Sequence, residues 1–172
     1  KTTAGLALEL EDAVGLRPRS VPAPRLPLFN ERDNQSHNYG GRDLRQGFSI
    51  EISFTLATLA AGQILLDNRG DDRKGFCLRT TDSSIEIVLN DGRTQNSWDC
   101  DGGILQTGHK HRLAVVVDGG PKIISFVVDG LLCDGGQQRQ YGWSRFSPHL
   151  REANGGETLR IAERVAGTVH GL

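Results

Sequence analysis

Methionine is absent from this chain, even at residue 1. A processed or excised piece of a longer protein is therefore expected. Cysteine is scarce as well, and three residues (Cys77, Cys100 and Cys133) cannot make a fully paired disulfide framework. One bridge stays open, from Cys100 in "WDCDGG" to Cys133 in "LLCDGG", because both segments read as strand ends. Cys77 in "GFCLR" reads as a small buried hydrophobe. No Cys or His pairs occur at the short spacing of a zinc site. Charge of one sign is also lacking: the net value is −1, so nothing recommends nucleic acid or an anionic membrane as a partner. No apolar run approaches the ~20 residues of a membrane span, and "KTTAGLALEL" lacks the long apolar stretch of a signal peptide. Neither an E-x-D-x-x-E triplet nor a G-x-S-x-G elbow is present.

What the chain does have is glycine, 22 residues of it, beside 37% hydrophobic and 24% charged residues in a length that suits one domain, 1–172. Four of the six prolines fall in "RPRSVPAPRLP" (17–27), which can join neither a helix nor a central strand. With the polar, turn-rich "NERDNQSHNYGGRD" that follows, it reads as a strap or linker over 17–43, and it carries an N-x-S sequon at Asn34. Core strands are expected from about 45 to 172. In "FSIEISFTL" the residues Phe48, Ile50, Ile52, Phe54 and Leu56 point one way and the polar residues the other, the period of a half-buried strand. Shorter runs follow at 63–68, 75–80, 84–90, 111–118, 123–130, 159–162 and 168–172. Between them stand "RGDDRKG", "NDGR", "DGGPK" and "DG", all turn chemistry. The pattern predicts an all-β, two-sheet antiparallel β-sandwich, with the aliphatic runs Leu113–Val117 and Ile123–Val128 as central strands and Ile85, Ile87 and Leu89 facing inward.

The run "HRLAVVVDGGPKIISFVVDGLLCDGG" resembles the strand-turn-strand hallmark of concanavalin A-like, laminin G-like jelly rolls. "LNDGRTQNSWDCDGGIL", "RQYGWSRFSP" and "LRIAERVAGTVHGL" are similar to the versions found in non-catalytic modules attached to bacterial glycoside hydrolases and sialidase-like proteins. The resemblance covers roughly 45–172 and implies a carbohydrate-binding, lectin-like accessory module of a secreted glycan-active enzyme, extracellular or periplasmic. Its partners would be a glycan and a parent catalytic domain. Two alternatives stay open: a glycoside hydrolase or polysaccharide lyase of the same fold, and a laminin G-like interaction domain. Such modules continue past "GTVHGL", so a truncated last strand is expected.

The in-strand acids Glu51 and Glu86 lie on different strands and suit solvated outer faces, which speaks against catalysis. Asp118, Asp129 and Asp134 each precede Gly and read as turn residues. "DNRGDD" and "SWDCDGG" gather carboxylates that make Ca²⁺ the one cofactor worth considering, although the EF-hand order is missing. Arg69-Gly70-Asp71 spells a cell-attachment tripeptide that common loop residues also produce by chance. His109 and His111 stand at i,i+2 and read as an exposed approach to a strand. Sugars offer apolar C–H faces and rings of hydroxyls, so aromatic platforms flanked by Arg, Asp and Gln suit them. The expected site therefore joins Asp67 and Arg69, Trp98, Asp99 and Asp101, and Arg139, Gln140, Tyr141, Trp143 and Arg145, in loops gathered at one edge. Opposed to this stands an arrangement in which Trp143 and Phe146 plug the sandwich and the arginines brace Asp99 or Asp101.

Overall fold

The computed structural model describes residues 18–29 and 47–172, so the Asn34 sequon and the N-terminal "GLALELEDAVGL" lie outside the described residues. The strands are β1 (Arg19–Pro22), β2 (Gly47–Leu56), β3 (Ile64–Asp67), β4 (Gly75–Thr80), β5 (Ile85–Asn90) and β6 (Gln95–Asp99), then β7 (Lys110–Asp118), β8 (Ile123–Val128), β9 (Leu131–Leu132), β10 (Trp143–Arg145), β11 (Thr158–Glu163) and β12 (Gly167–Gly171). No helix occurs among the described residues. One sheet has the order β1-β11-β3-β4-β5-β6, the other β10-β8-β7-β2-β12, with β9 beside β10 on the same edge of β8. Every pairing is antiparallel. The architecture is the expected two-sheet sandwich.

Alternation decides which side chains meet between the sheets. Ile50, Ile52, Phe54 and Leu56 of β2 pack with Leu113, Val115 and Val117 of β7 and Ile124, Phe126 and Val128 of β8. Facing them are Phe76 and Leu78 of β4, Ile85, Ile87 and Leu89 of β5, and Leu159 and Ile161 of β11. Each such buried side chain contributes about 1.5–3 kcal/mol. The aliphatic runs of β7 and β8 are not buried on both sides, as the sequence suggested. Val116 is exposed and Ile123 and Val127 are half-buried, because no layer of the described residues covers the outside of the second sheet. β7 is central, whereas only the short β9 and β10 stand beyond β8.

The turns behave as their residues dictate. Asp129 and Gly130 both take positive φ (51° and 83°) between the paired Val128 and Leu131, the mirror-image turn that matches strand twist. The proline-rich strap supplies β1 as an edge strand on β11, where a missing N–H costs nothing. It then runs along 151–157, with Ala23 and Phe29 amides donating to the carbonyls of Glu157 and Arg151. Phe29 and Phe146 (5.1 Å between centroids) close one end of the core beneath the buried Lys122 ammonium, which donates to the Leu150 carbonyl at 3.0 Å. At the other end His111 is buried rather than exposed. Its Nδ1 lies 2.7 Å from Asp129 and its Nε2 2.9 Å from the Gln106 amide, which it accepts. β7 therefore begins earlier than the residue types suggest, at Lys110.

Candidate functional site

On the first sheet, the residues that point away from the core form a groove of about 530 Å³. Asp67 (β3), Arg79 (β4), Val88 (β5), Gln95 (β6) and Arg160 (β11) line it from the strands, and Arg69, Gly70 and Arg73 from the β3–β4 loop. Four guanidinium groups and the Asp67 carboxylate thus line it, and two further carboxylates, Glu86 and Glu163, pair with Arg79 and Arg160. Asp67 is buried and holds two of the arginines: Arg69 Nε and Nη2 donate to its two oxygens at 2.9 and 2.8 Å, and Arg160 Nη2 approaches at 3.1 Å. Burial pushes the Asp67 carboxyl up, but the hydrogen bonds from Arg69 and Arg160 and the Arg69 charge outweigh it and hold the group below the usual carboxylate range. Arg79 gives Nε to Glu86 at 2.7 Å, which leaves its outer nitrogens toward the groove. Arg73 makes no side-chain hydrogen bond or ion pair among the described residues. A groove so built favours an anion, and the planar fork of Arg matches a carboxylate.

Loop packing holds this wall in place. Buried Asn68 accepts from the Phe76 amide at 2.6 Å, and its carbonyl accepts from the Gly156 amide at 2.7 Å. A side chain on Gly155 would put Cβ 2.1 Å from the Asn68 carbonyl oxygen, so only glycine lets the 153–156 segment lie against the loop.

A second cluster joins Trp98, Asp99, Asp101 and Arg139. Arg139 Nη1 donates to Asp99 at 2.7 Å and Nη2 to Asp101 at 2.9 Å, with the guanidinium 4.3 Å from the Trp98 ring centre. Asp101 also accepts from the amides of Asp134 (3.0 Å) and Gly135 (3.0 Å), and the Trp98 indole donates to the Gly142 carbonyl at 3.2 Å. These groups brace the 133–142 loop. Gln140, Tyr141, Trp143 and Arg145 stand outside the bracing, all exposed, with the Tyr141 and Trp143 rings 5.3 Å apart.

The expected site residues therefore divide into separate groups. Asp67 and Arg69 belong to the groove; Trp98, Asp99, Asp101 and Arg139 brace a loop; Tyr141 and Trp143 form an exposed pair. Phe146 is a core plug, as its alternative reading had it, but Trp143 is not. Reading by loops missed Arg73, Arg79, Gln95 and Arg160. Arg79 and Arg160 carried a signal, being strand residues at outward positions between buried neighbours. Nothing in the sequence says that β11 lies beside β3, which brings Arg160 to Arg69 across 91 residues.

The remaining candidates have structural occupations. Arg69 is locked on Asp67, so Arg69-Gly70-Asp71 does not present a free arginine. Glu51 and Glu86 lie on the outer faces of different sheets, paired with Arg112 and Arg79. Asp67, Asp99 and Asp101 are held by guanidinium groups, which does not fit a Ca²⁺ oxygen shell. No cluster of three or more His, Cys, Asp or Glu suited to a metal occurs among the described residues. All three cysteines are buried free thiols, so the Cys100–Cys133 bridge is not formed.

Two antiparallel sheets packed face to face make a jelly-roll β-sandwich. Among solved structures, the chain is similar to the CBM40 of Ruminococcus gnavus IT-sialidase bound to α2,3-sialyllactose (TM-score 0.56, 16% identity, 89% of each chain). It is also similar to an SAP-like pentraxin from Limulus polyphemus (TM-score 0.55, 13% identity, 89% of this chain and 67% of that one). A leech intramolecular trans-sialidase shares the fold over 90% of this chain and 25% of its own (TM-score 0.53, 16% identity). Compared by sequence, the chain matches no family model and no curated protein.

Proposed function

We propose that this chain is a non-catalytic carbohydrate-binding module that takes the acidic end of a glycan in the arginine-lined groove. The carrying observation is that four guanidinium groups line the groove while three carboxylates, Asp67, Glu86 and Glu163, pair with Arg69, Arg79 and Arg160, which leaves Arg73 unpaired among the described residues. A sugar carboxylate would meet Arg73 and the outer nitrogens of Arg79, while Gln95 and the groove wall meet hydroxyls. The half-neutralised Arg69 and Arg160 would hold the wall and add positive potential. Similarity of fold to a module crystallised with sialyllactose supports this class of ligand. The separation of Glu51 from Glu86 speaks against hydrolysis, which needs two carboxyls within reach of one glycosidic bond.

We also propose that the module works outside the cytoplasm beside a glycan-active catalytic domain, since two of the similar folds belong to sialidases by name. Purifying the native polypeptide that contains this sequence and measuring its mass and glycosidase activity tests that attachment. For the ligand, calorimetric titration with 3′- and 6′-sialyllactose, oligogalacturonate and lactose is the direct experiment. Binding of at least one carboxylated sugar in preference to lactose is expected. Arg73→Ala and Arg79→Ala should each weaken it by about 1.5–3 kcal/mol, the scale of a hydrogen bond to a charged group, with the fold unchanged. Equal binding of lactose, or full affinity in both variants, would remove the groove from the account.

A further inference from the structure

The second sheet carries a feature that the groove does not use. Leu131 (67% exposed), Leu132 (67%), Tyr141 (52%) and Trp143 (41%) include most of the exposed large hydrophobics among the described residues, and the Tyr141 and Trp143 rings are neighbours in space. Leu132 pairs with Val127 and Trp143 with Ser125 along one edge of β8. Val127 and Ser125 point away from the core that Ile124, Phe126 and Val128 fill, so Leu132 and Trp143 share the outer face. The loop between them is closed at its base: a Cβ on Gly142 would sit 1.8 Å from the Cys133 carbonyl oxygen.

That loop is rigid for reasons already given. Asp101, Arg139 and the Trp98 indole hold its backbone from inside, so the rings of Tyr141 and Trp143 are fixed outside it at 5.3 Å and 36°. Ordering a loop in this way while leaving its aromatics in water suits display rather than packing. The size of the patch limits what it can hold. Scaling the side chains of Leu132, Tyr141 and Trp143, ~150–250 Å² each, by their exposures gives on the order of 300 Å², well short of the ~800 Å² per partner of a stable protein interface. It is enough for one or two sugar rings. Gln140, Arg145 and Ser125 stand at the rim with groups that can meet hydroxyls.

We infer that Tyr141 and Trp143 form a second sugar-binding surface, separate from the groove, which stacks the C–H face of a neutral β-linked pyranose. Equatorial hydroxyls leave such a ring flat and apolar on its faces, and no net charge is asked of it. The two surfaces lie on the outer faces of opposite sheets, so one chain would hold two glycan segments at once and gain avidity on a polymer or a glycan-covered surface.

Intrinsic fluorescence tests this directly, because Trp143 is exposed and Trp98 is covered by Arg139. The full chain is titrated with cellohexaose, xylohexaose, laminarihexaose and lacto-N-tetraose. At least one should give a saturable blue shift. Trp143→Phe should abolish the shift, and Tyr141→Ala and Trp143→Ala should weaken binding measured by calorimetry at least about tenfold without lowering the melting temperature. Arg73→Ala should leave neutral-sugar binding unchanged, which separates this surface from the groove: a wild type that binds a neutral sugar but no carboxylated one would sink the groove and spare the platform. No saturable response to any of these sugars would overturn the inference. So would self-association of the wild type that Trp143→Ala abolishes, which would make the patch a contact between copies.

Discussion

Replacing Asp101 with alanine removes the hub on which the 133–142 loop depends. Its carboxylate accepts from the amides of Asp134 and Gly135 at 3.0 Å each and from Arg139 at 2.9 Å. The three losses are unequal. Asp134 is exposed, so its amide can turn to water. Arg139 keeps Asp99, through the carboxylate at 2.7 Å and the backbone carbonyl at 3.1 Å. The Gly135 amide is buried and has no such recourse, and an unsatisfied buried donor costs about 1–3 kcal/mol. Adding a weakened Arg139 contact brings the expected loss to about 3 kcal/mol, or about 6–12 °C in melting temperature for a domain of this size. Asp101→Asn, which keeps an acceptor oxygen, should lose about half as much. Urea unfolding followed by Trp fluorescence and circular dichroism measures both. If Asp101→Ala unfolds within about 0.5 kcal/mol of wild type, the loop is not held as described, and the rigidity assigned to Tyr141 and Trp143 fails with it.

Phe54 is fully buried between the sheets, so Phe54→Ala should cost about 3–5 kcal/mol by equilibrium unfolding, and a loss under 1 kcal/mol would contradict the core assignment. Asp67 has a folded pKa below its unfolded value near 3.9, so its contribution is fully present above that value and lost as pH falls through the folded one. The stability gap between wild type and Asp67→Asn should accordingly be flat from pH 7 to about pH 5 and narrow below pH 4; a gap that widens in acid reverses the sign of the argument. Burial pushes the Cys77 thiol up to about 11 and Cys100 to about 12, so Ellman's reagent at pH 8 should find no reactive thiol in the folded chain and three after denaturation. Recovery of a single thiol would mean that Cys100 and Cys133 are bridged after all.

Much of the sandwich was legible because its evidence is local. Alternation in "FSIEISFTL" places Phe54 inward, and "VDGLL" spells a tight turn without reference to any other strand. The short strands were not legible. Gln95–Asp99 and Trp143–Arg145 are too polar and too brief to announce themselves, and they are strands only because β5 and β8 offer them an edge. The site divided along the same line. Arg139 bracing Asp99 and Asp101 was foreseeable as one of two readings, since opposite charges in neighbouring loops invite it. The groove was hidden for a different reason: Arg79, Arg73 and Arg160 converge only through the order β11-β3-β4, and sheet order is a long-range property that no window of sequence contains. The expectation of loops gathered at one edge drew attention away from a sheet face.

The central claim is that an acidic sugar lies on the outer face of the first sheet. Amide chemical-shift mapping of the ¹⁵N-labelled chain with a carboxylated sugar that binds, 3′-sialyllactose first, locates it residue by residue. The account predicts saturable shifts at Asp67 to Arg79, Val88, Gln95 and Arg160, with Leu131, Leu132, Tyr141 and Trp143 unmoved. Shifts confined to the 131–145 segment, with the groove silent, would contradict it.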